Sequence, residues 1–455
     1  MHDLDTICAV ATPAGSGGIG IIRISGPDAV NIVSKIVRIR AGKDLKTVAS
    51  HTLHYGHVML PGSSLMVDEV IVSVMRAPAT YTRENVVEIN CHGGMVPLKR
   101  TMEILLEEGA RLAEPGEFTK RAFLNGRIDL AQAESVMDII RARTEQSHIA
   151  ANALLDGRLS DEVKGIRERT ISLLASVEAS IDFSEEDIDI DQCGIDREIA
   201  AVQHDVHRMI KGGAYGRIIR EGCAIAIVGR PNVGKSSLLN ALLMQDRAIV
   251  TDIPGTTRDV LEESLNIDGY LFRILDTAGI RHAEDPIERE GVKRTRAAMQ
   301  AADIVLLVID GSVELTEDDR QILFHVREKS VITIVNKHDL RQKTDRGALL
   351  QPIVMMSCKT GEGLVELRKK LVEILNTTIT GNPENLWSIN QRHKFELEEA
   401  WSSLQKARNS LAAGLSPEFL ALDIRDALDH IGSVVGATYT EDILEKIFSS
   451  FCIGK

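Results

Sequence analysis

Eight consecutive residues constrain this chain more than any other feature: Gly229-Arg230-Pro231-Asn232-Val233-Gly234-Lys235-Ser236. Their spacing is G-x-x-x-x-G-K-[ST]. An apolar run, Ala224–Val228, precedes them, and a helical pattern, Ser237–Leu243, follows. Strand, glycine loop and helix in that order form a phosphate cradle. The two glycines let successive backbone N–H groups curl around a β-phosphate, and the helix N-terminus adds positive potential. Lys235 reaches the outer phosphates, and the Ser236 hydroxyl stands where a Mg²⁺ ligand belongs, with Ser237 beside it. A glycine turn without a ligand is the bland reading, and the flanking strand and helix argue against it.

Three further signals follow in order. Asp276-Thr277-Ala278-Gly279 ends a β-run, which brings a carboxylate towards the metal and a glycine towards the γ-phosphate. Asn336-Lys337-His338-Asp339 ends a later apolar strand. An aspartate there accepts from the N1–H and exocyclic amine of guanine, whereas adenine offers N1 as an acceptor and would be repelled. Ser357-Cys358-Lys359 closes the set after the last strand. Each is weak alone, but four in this order select a GTPase.

The rest of the chain gives the phosphate loop its setting. At 455 residues the length suggests about three domains. Apolar residues are 44% and charged residues 26%, which excludes disordered and fibrous classes. The formal net charge of −13 means that any RNA contact must be a local basic patch. No run reaches the roughly 20 apolar residues of a membrane span, so no membrane role is expected. Six scattered cysteines without metal spacing fit free thiols in a reducing cytoplasm. Short β-like runs (Ile7–Ala11, Ile19–Ile24, Val67–Met75, Val86–Ile89) mix with helical patterns up to about residue 115. Helical periodicity then dominates to Gly213, apart from the acidic run Glu185–Asp191. Five buried parallel strands are expected between 224 and 375 (Ala224–Val228, Leu271–Leu275, Ile304–Ile309, Val331–Val335, Ile353–Met356), and helices return after Gly381-Asn382-Pro383.

At this point the sequence resembles the translation-factor-like GTPases. Gly255-Thr256-Thr257-Arg258-Asp259 is similar to switch I of a bacterial subgroup, with Thr257 as a second Mg²⁺ ligand. The loop Thr251-Asp252-Ile253-Pro254-Gly255-Thr256-Thr257 thereby joins the nucleotide-binding set. Three blocks outside the GTPase region narrow the match. The first runs from Asp5-Thr6-Ile7 through Ala11-Thr12-Pro13 to Gly17-Gly18-Ile19-Gly20-Ile21-Ile22-Arg23-Ile24-Ser25-Gly26. The second is Val87-Glu88-Ile89-Asn90-Cys91-His92-Gly93-Gly94, followed by Gly116–Arg127. The third is Phe451-Cys452-Ile453-Gly454-Lys455. Together they resemble the MnmE (TrmE) family of tRNA-modification GTPases over residues 5–455.

That resemblance implies an α/β P-loop GTPase domain inserted in an α-helical domain and preceded by an α+β folate-binding-like N-terminal domain. The expected boundaries are 1–118 for the N-terminal domain, also a dimerisation domain, 119–215 and 381–455 for the two helical parts, and 216–380 for the GTPase domain. The residue after the D-x-x-G block is Ile280, so the glutamine that orients water in a Ras-like site is absent. Glu288 resembles the family's general base. Asn232, with Thr251, Ile253 and Thr256, resembles a K⁺ site that supplies the charge of an arginine finger. Arg23, Glu88, Arg127 and Lys455 are implied to bind a tetrahydrofolate derivative, 5,10-methylene or 5-formyl, and Cys452 matches a catalytically required cysteine of undefined role. The implied activity is addition of an aminomethyl-type (carboxymethylaminomethyl) group at C5 of the wobble uridine, position 34, of certain tRNAs. The implied assembly is a homodimer that joins the flavoprotein MnmG (GidA) in a heterotetramer, with FAD only in that partner.

Other signals read blandly. Gly15-Ser16-Gly17-Gly18-Ile19-Gly20 matches a dinucleotide fingerprint, but a strand and not a helix should follow. Asp187–Glu198 imitates a calcium loop with Gln192 where glycine is required. His92 is a turn residue or a neighbour of the folate site. A ribosome-assembly GTPase that binds rRNA without modifying it is the alternative function. The Cys-His-Gly-Gly block and the Cys-Ile-Gly-Lys tail speak against it.

Overall fold

In the computed structural model, residues 5–13, 15–40, 42–182, 191–246, 263–275, 297–378 and 389–455 are described. Contacts divide the chain into two compact units, one of Met1–Met137 with Asp429–Lys455 and one of Asp138–Leu428.

The first unit is built on a seven-stranded sheet of order β3-β4-β5-β6-β2-β1-β7. Its strands are β1 (Ile7–Val10), β2 (Ile19–Ser25), β3 (Val37–Ile39), β4 (Thr52–Met59), β5 (Met66–Met75), β6 (Val86–His92) and β7 (Arg111–Leu112). Alternation sorts the side chains. Ile22, Ile24, Val70, Val72, Val74, Val87, Ile89 and Cys91 face the helices α1 (Ala29–Ile36) and α2 (Met95–Glu107) in one apolar core. Arg23 and Glu88, opposite each other in the β2–β6 register, share the other face. At the β1 end that face is covered by Ile7, Ala9, Ala113 and Phe118, against which Tyr81 packs. Phe118 belongs to α3 (Glu117–Leu124).

Beneath α3, Arg121 is buried among carboxylates, bonded to Asp5 Oδ1 at 2.5 Å, Glu117 Oε1 at 2.9 Å and Glu84 Oε1 at 3.2 Å. Removing one partner from such a network leaves an uncompensated charge and costs about 3–5 kcal/mol. The network therefore fixes α3 against the N-terminal strand. The far C-terminus closes the unit. Phe448 and Phe451 pack with Ala122, Phe123 and Leu130, and Gly116 donates its N–H to the Cys452 carbonyl at 3.4 Å.

The second unit carries a six-stranded sheet of order β13-β12-β11-β8-β10-β9. The strands are β8 (Cys223–Val228), β9 (Glu263–Ile267), β10 (Tyr270–Leu275), β11 (Ile304–Asp310), β12 (Ser330–Asn336) and β13 (Ile353–Met355). All neighbours are parallel except β9, which pairs antiparallel with β10. The central strands are buried throughout, as their unbroken apolar runs require. Before them in sequence come α4 (Leu130–Arg141), α5 (Glu145–Leu155), α6 (Arg158–Asp182) and α7 (Gln192–Glu221). The sheet's own described helices include α8 (Lys235–Asp246), α9 (Glu317–Val326) and α10 (Leu364–Thr378), and after it come α11 (Gln391–Ala412), α12 (Pro417–Val435) and α13 (Glu441–Phe448).

Helices α7 and α11 lie side by side, tied by Gln203 to Gln405 at 3.0 Å and by Arg408 to Asp196 at 2.9 Å. The α/β sheet is therefore an insertion into a helical domain, as expected. Four strands exceed the expectation, β3, β4, β7 and β9, and β3 is only three residues long. β4 has exposed Leu53 and Tyr55 on one face and Gly56 on the other, so it lacks a clean apolar stripe. β9 and β7 are too short and polar to signal themselves. Asp429–Lys455 groups with the first unit, while 381–455 was expected to be helical-domain sequence.

Candidate functional site

The phosphate loop begins where β8 ends. Gly229 has φ +149°, and a Cβ there would stand 2.4 Å from the Val308 carbonyl oxygen, so only glycine lets the loop pass β11. Gly234 has φ +108°, and its missing Cβ makes room for the Asn336 amide, which would lie 2.1 Å away. Asn336 Nδ2 donates to the Val233 carbonyl at 2.8 Å, and its Oδ1 accepts from the Cys358 N–H at 3.1 Å. One side chain thus stitches the phosphate loop to the ends of β12 and β13. Lys235 Nζ donates to the carbonyls of Gly229 at 2.7 Å and Arg230 at 2.9 Å, and burial holds its ammonium below the ordinary lysine value. Val233 is buried, while Asn232, at φ +65°, and Ser236 and Ser237 face outward along the loop.

The residues expected to read the base lie on the same sheet edge. Ser357 Oγ donates to Asp339 Oδ1 at 2.7 Å, and this bond keeps the Asp339 carboxyl below the usual carboxylate range. The other Asp339 oxygen can accept, as guanine recognition needs. Lys359 is exposed beside it, and its positive charge adds to the same effect. Lys337 sits at φ +61° with its ammonium 2.5 Å from Asp310 Oδ2. The structure therefore brings Asn232, Val233, Gly234, Lys235, Ser236, Ser237, Asn336, Lys337, Asp339, Ser357, Cys358 and Lys359 to the C-terminal ends of the parallel strands, where open α/β sheets bind ligands. Thr251, Asp252, Ile253, Pro254, Gly255, Thr256, Thr257, Asp276, Thr277, Ala278, Gly279 and Glu288 lie outside the described residues.

A second constellation occupies the polar sheet face of the first unit. Arg23 Nε donates to Glu88 Oε1 at 2.8 Å, and its Nη1 donates to the Gly454 carbonyl at 3.2 Å. Its guanidinium stands 5.8 Å from the centre of the Phe118 ring. Lys455 is half-buried next to them, and burial, then repulsion from Arg23, lower its pKa. Cys452 is exposed at the start of the same turn, its carbonyl accepting from the Lys455 N–H at 3.4 Å. Arg127 stacks on Tyr81 at 4.6 Å, and the Tyr81 hydroxyl bonds Thr119 Oγ1 at 2.9 Å. Arg23, Glu88 and Lys455 are thus gathered directly, and Arg127 joins through the Tyr81–Phe118 cluster. Phe118 and Tyr81 were not singled out in the sequence, where an aromatic beneath an arginine leaves no local signal.

Gly15–Gly20 leads into strand β2, not a helix, so no dinucleotide fingerprint forms. His92 does have a partner, because Asp68 accepts from its Nδ1 at 2.7 Å and from its backbone N–H at 2.8 Å. Among the described residues no group of three or more His, Cys, Asp or Glu is placed to hold a metal. No described helix is long and apolar enough to cross a membrane.

Comparison with known proteins bears on both constellations. Residues 130–452 match the family described as the MnmE helical domain. Residues 6–127 match the family described as the GTP-binding protein TrmE N-terminus. Full-length relatives carry the name tRNA modification GTPase MnmE. That of Carboxydothermus hydrogenoformans is 47% identical over 99% of each chain. That of Acetivibrio thermocellus is 46% identical over 100% of each chain, and that of Geobacillus thermodenitrificans is 45% identical over 100% of each.

Proposed function

Because the chain belongs to the MnmE family of tRNA modification GTPases, we propose that it hydrolyses GTP in the service of tRNA modification. The observation that carries the GTPase half is the joint presence, at one sheet edge, of the glycine cradle, Lys235 and the Ser357-held carboxylate of Asp339. The cradle donates backbone N–H groups to the phosphates, and Lys235 exchanges its two carbonyl partners for phosphate oxygens. Asp339 accepts two hydrogen bonds from guanine, so the base is read before the chemistry begins.

The finer steps follow from the family together with these residues. Ser236 and Thr257 would hold Mg²⁺. Asn232, Thr251, Ile253 and Thr256 would hold K⁺, and the left-handed, outward position of Asn232 supports this. The two cations supply the transition-state charge that an arginine finger gives elsewhere. Glu288 would take a proton from the attacking water, the task Ile280 leaves undone.

Arg23, Lys455 and Arg127 give the polar face of the first unit a positive character suited to the glutamate carboxylates of a folate. Glu88 offers an acceptor to the N–H groups of a pterin. These residues bind and orient the group. When bound, a tetrahydrofolate derivative supplies a one-carbon unit. With a flavoprotein partner, the product is an aminomethyl-type group on C5 of the wobble uridine. Hydrolysis of GTP drives a conformational change and adds no atom to the base. We read the working form as a homodimer in the cytoplasm.

The test of the GTPase half is base exchange. Asp339→Asn turns an acceptor pair into one acceptor and one donor, so the full chain should lose GTP and gain xanthosine triphosphate. Unchanged GTP affinity would overturn the assignment.

A further inference from the structure

We propose that Asp310 is a positioning residue for guanine recognition, acting through Lys337 and not through the nucleotide itself. Asp310 is the last residue of β11, in register with Asn336, the last residue of β12. Its side chain is nine-tenths buried, an expensive place for a carboxylate unless its oxygens are hydrogen-bonded. Both of them are. Oδ2 accepts from Lys337 Nζ at 2.5 Å, and Oδ1 accepts from the Ser312 N–H at 3.0 Å and the Ser312 hydroxyl at 2.7 Å. Burial pushes the Asp310 pKa up, but the Lys337 and Ser312 donors outweigh it and leave the group below the usual carboxylate range. The Asp310 carboxyl is therefore ionised at neutral pH.

The backbone around the pair is shaped to keep it. Lys337 stands at φ +61°, a conformation that costs a non-glycine residue energy and persists only where neighbours over-determine it. Three contacts do so besides Asp310. The Lys337 carbonyl accepts from Gln342 Nε2 at 2.9 Å and from the Leu340 N–H at 3.0 Å, and His338 N–H reaches the Met356 carbonyl at 3.0 Å. Gly311 fits the same design. Its N–H bonds the Asn336 carbonyl at 2.9 Å, its carbonyl accepts from Lys343 N–H at 2.8 Å, and a Cβ would strike Gln342 Oε1 at 2.1 Å. The ends of β11 and β12 are one stitched platform, with Lys337 bonded to Asp310 two residues before Asp339 in the chain. An ammonium pinned at its tip leaves its four-carbon stem in one course, and that stem is the apolar surface offered to a purine ring.

The inference rests on the guanine-pocket reading and deepens it. Its test uses the full chain and N-methylanthraniloyl GDP and GTP. Asp310→Asn should raise Kd for both nucleotides by the same factor, about 10- to 100-fold, the effect of freeing one charge-assisted hydrogen bond. Turnover at saturating GTP should stay within about twofold of wild type, because neither phosphates nor water are touched. Asp310→Glu should recover part of the affinity. In a Lys337→Met background, Asp310→Asn should add little, since its target is already gone. In an Asp339→Asn background, the same Asp310→Asn penalty should fall on xanthosine triphosphate, because a stem beneath a ring does not read its edge. An unchanged Kd, a fall in turnover at unchanged Kd, or full additivity with Lys337→Met would each overturn the proposal. Failure of Asp339→Asn to exchange bases would instead sink the guanine-pocket reading, and the GTP and GDP measurements would still decide the role of Asp310.

Discussion

Replacing Gly454 with alanine should evict the C-terminal tail from the Arg23 site while leaving the rest of the molecule nearly intact. Gly454 has φ +92°, which costs an L-residue about 1–2 kcal/mol. Its new Cβ would stand 2.4 Å from the Val10 carbonyl oxygen and 3.0 Å from the Ala11 Cα. Both are backbone atoms of the β1 end and cannot swing aside, so the tail itself must move. Moving it breaks the bond from Arg23 Nη1 to the Gly454 carbonyl, a charged hydrogen bond worth about 1.5–3 kcal/mol. The sum, about 2.5–5 kcal/mol, shifts the docked tail by roughly 10²-fold or more against undocking. Lys455 then leaves Arg23 and Glu88. The cost stays local, because Phe448 and Phe451 anchor the chain before the tail begins. Calorimetric titration with 5-formyltetrahydrofolate should show binding weakened by at least about 10-fold, with thermal midpoint and GTP turnover close to wild type. Ile453→Ala, at an exposed position of the same turn, is the control and should change little. Wild-type folate affinity in Gly454→Ala would refute the reasoning. A lowered thermal midpoint with GTP turnover also lost would refute it too, by showing that the tail holds more than a site.

Two further predictions concern hydrolysis. With Asn232 in the phosphate loop, GTP turnover should rise in K⁺ and remain low in Na⁺ at matched ionic strength; equal rates would remove the cation from the account. Glu288→Ala should bind GTP normally and hydrolyse it about 10²–10⁴-fold more slowly, the range for lost general-base help, while Glu284→Ala and Asp285→Ala stay near wild type. If Glu284→Ala is as slow as Glu288→Ala, the base lies elsewhere.

The chain's nucleotide chemistry was legible in its sequence because that chemistry is local. A cradle needs Gly229, Gly234, Lys235 and Ser236 at fixed spacing, and the proposed guanine reading needs a carboxylate, Asp339, just past a strand end. What those glycines avoid was not legible. Gly234 is required by Asn336, which arrives from a distant strand, and Gly229 by the Val308 carbonyl of another. Asp310 escaped notice because it reads as the polar full stop of an apolar run, and nothing in the run names Lys337 as its partner. The first unit shows the same limit more sharply. Arg23 and Gly454 touch across 431 positions of sequence, so only family resemblance put Arg23, Glu88 and Lys455 on one list. The β4 and β9 strands were missed because their pairing partners, and not their own apolar pattern, make them strands.

The most direct test of the account is mass-spectrometric analysis of wobble uridine in tRNA from cells that depend on this chain. Wild-type protein should restore the C5-modified nucleoside, whereas Lys235→Ala, which removes the cradle's amine, and Arg23→Ala, which removes the centre of the proposed folate face, should each leave the uridine unmodified while ribosome profiles stay normal. Modified uridine at wild-type levels in cells carrying either variant, or ribosome assembly defects with intact tRNA modification, would contradict it.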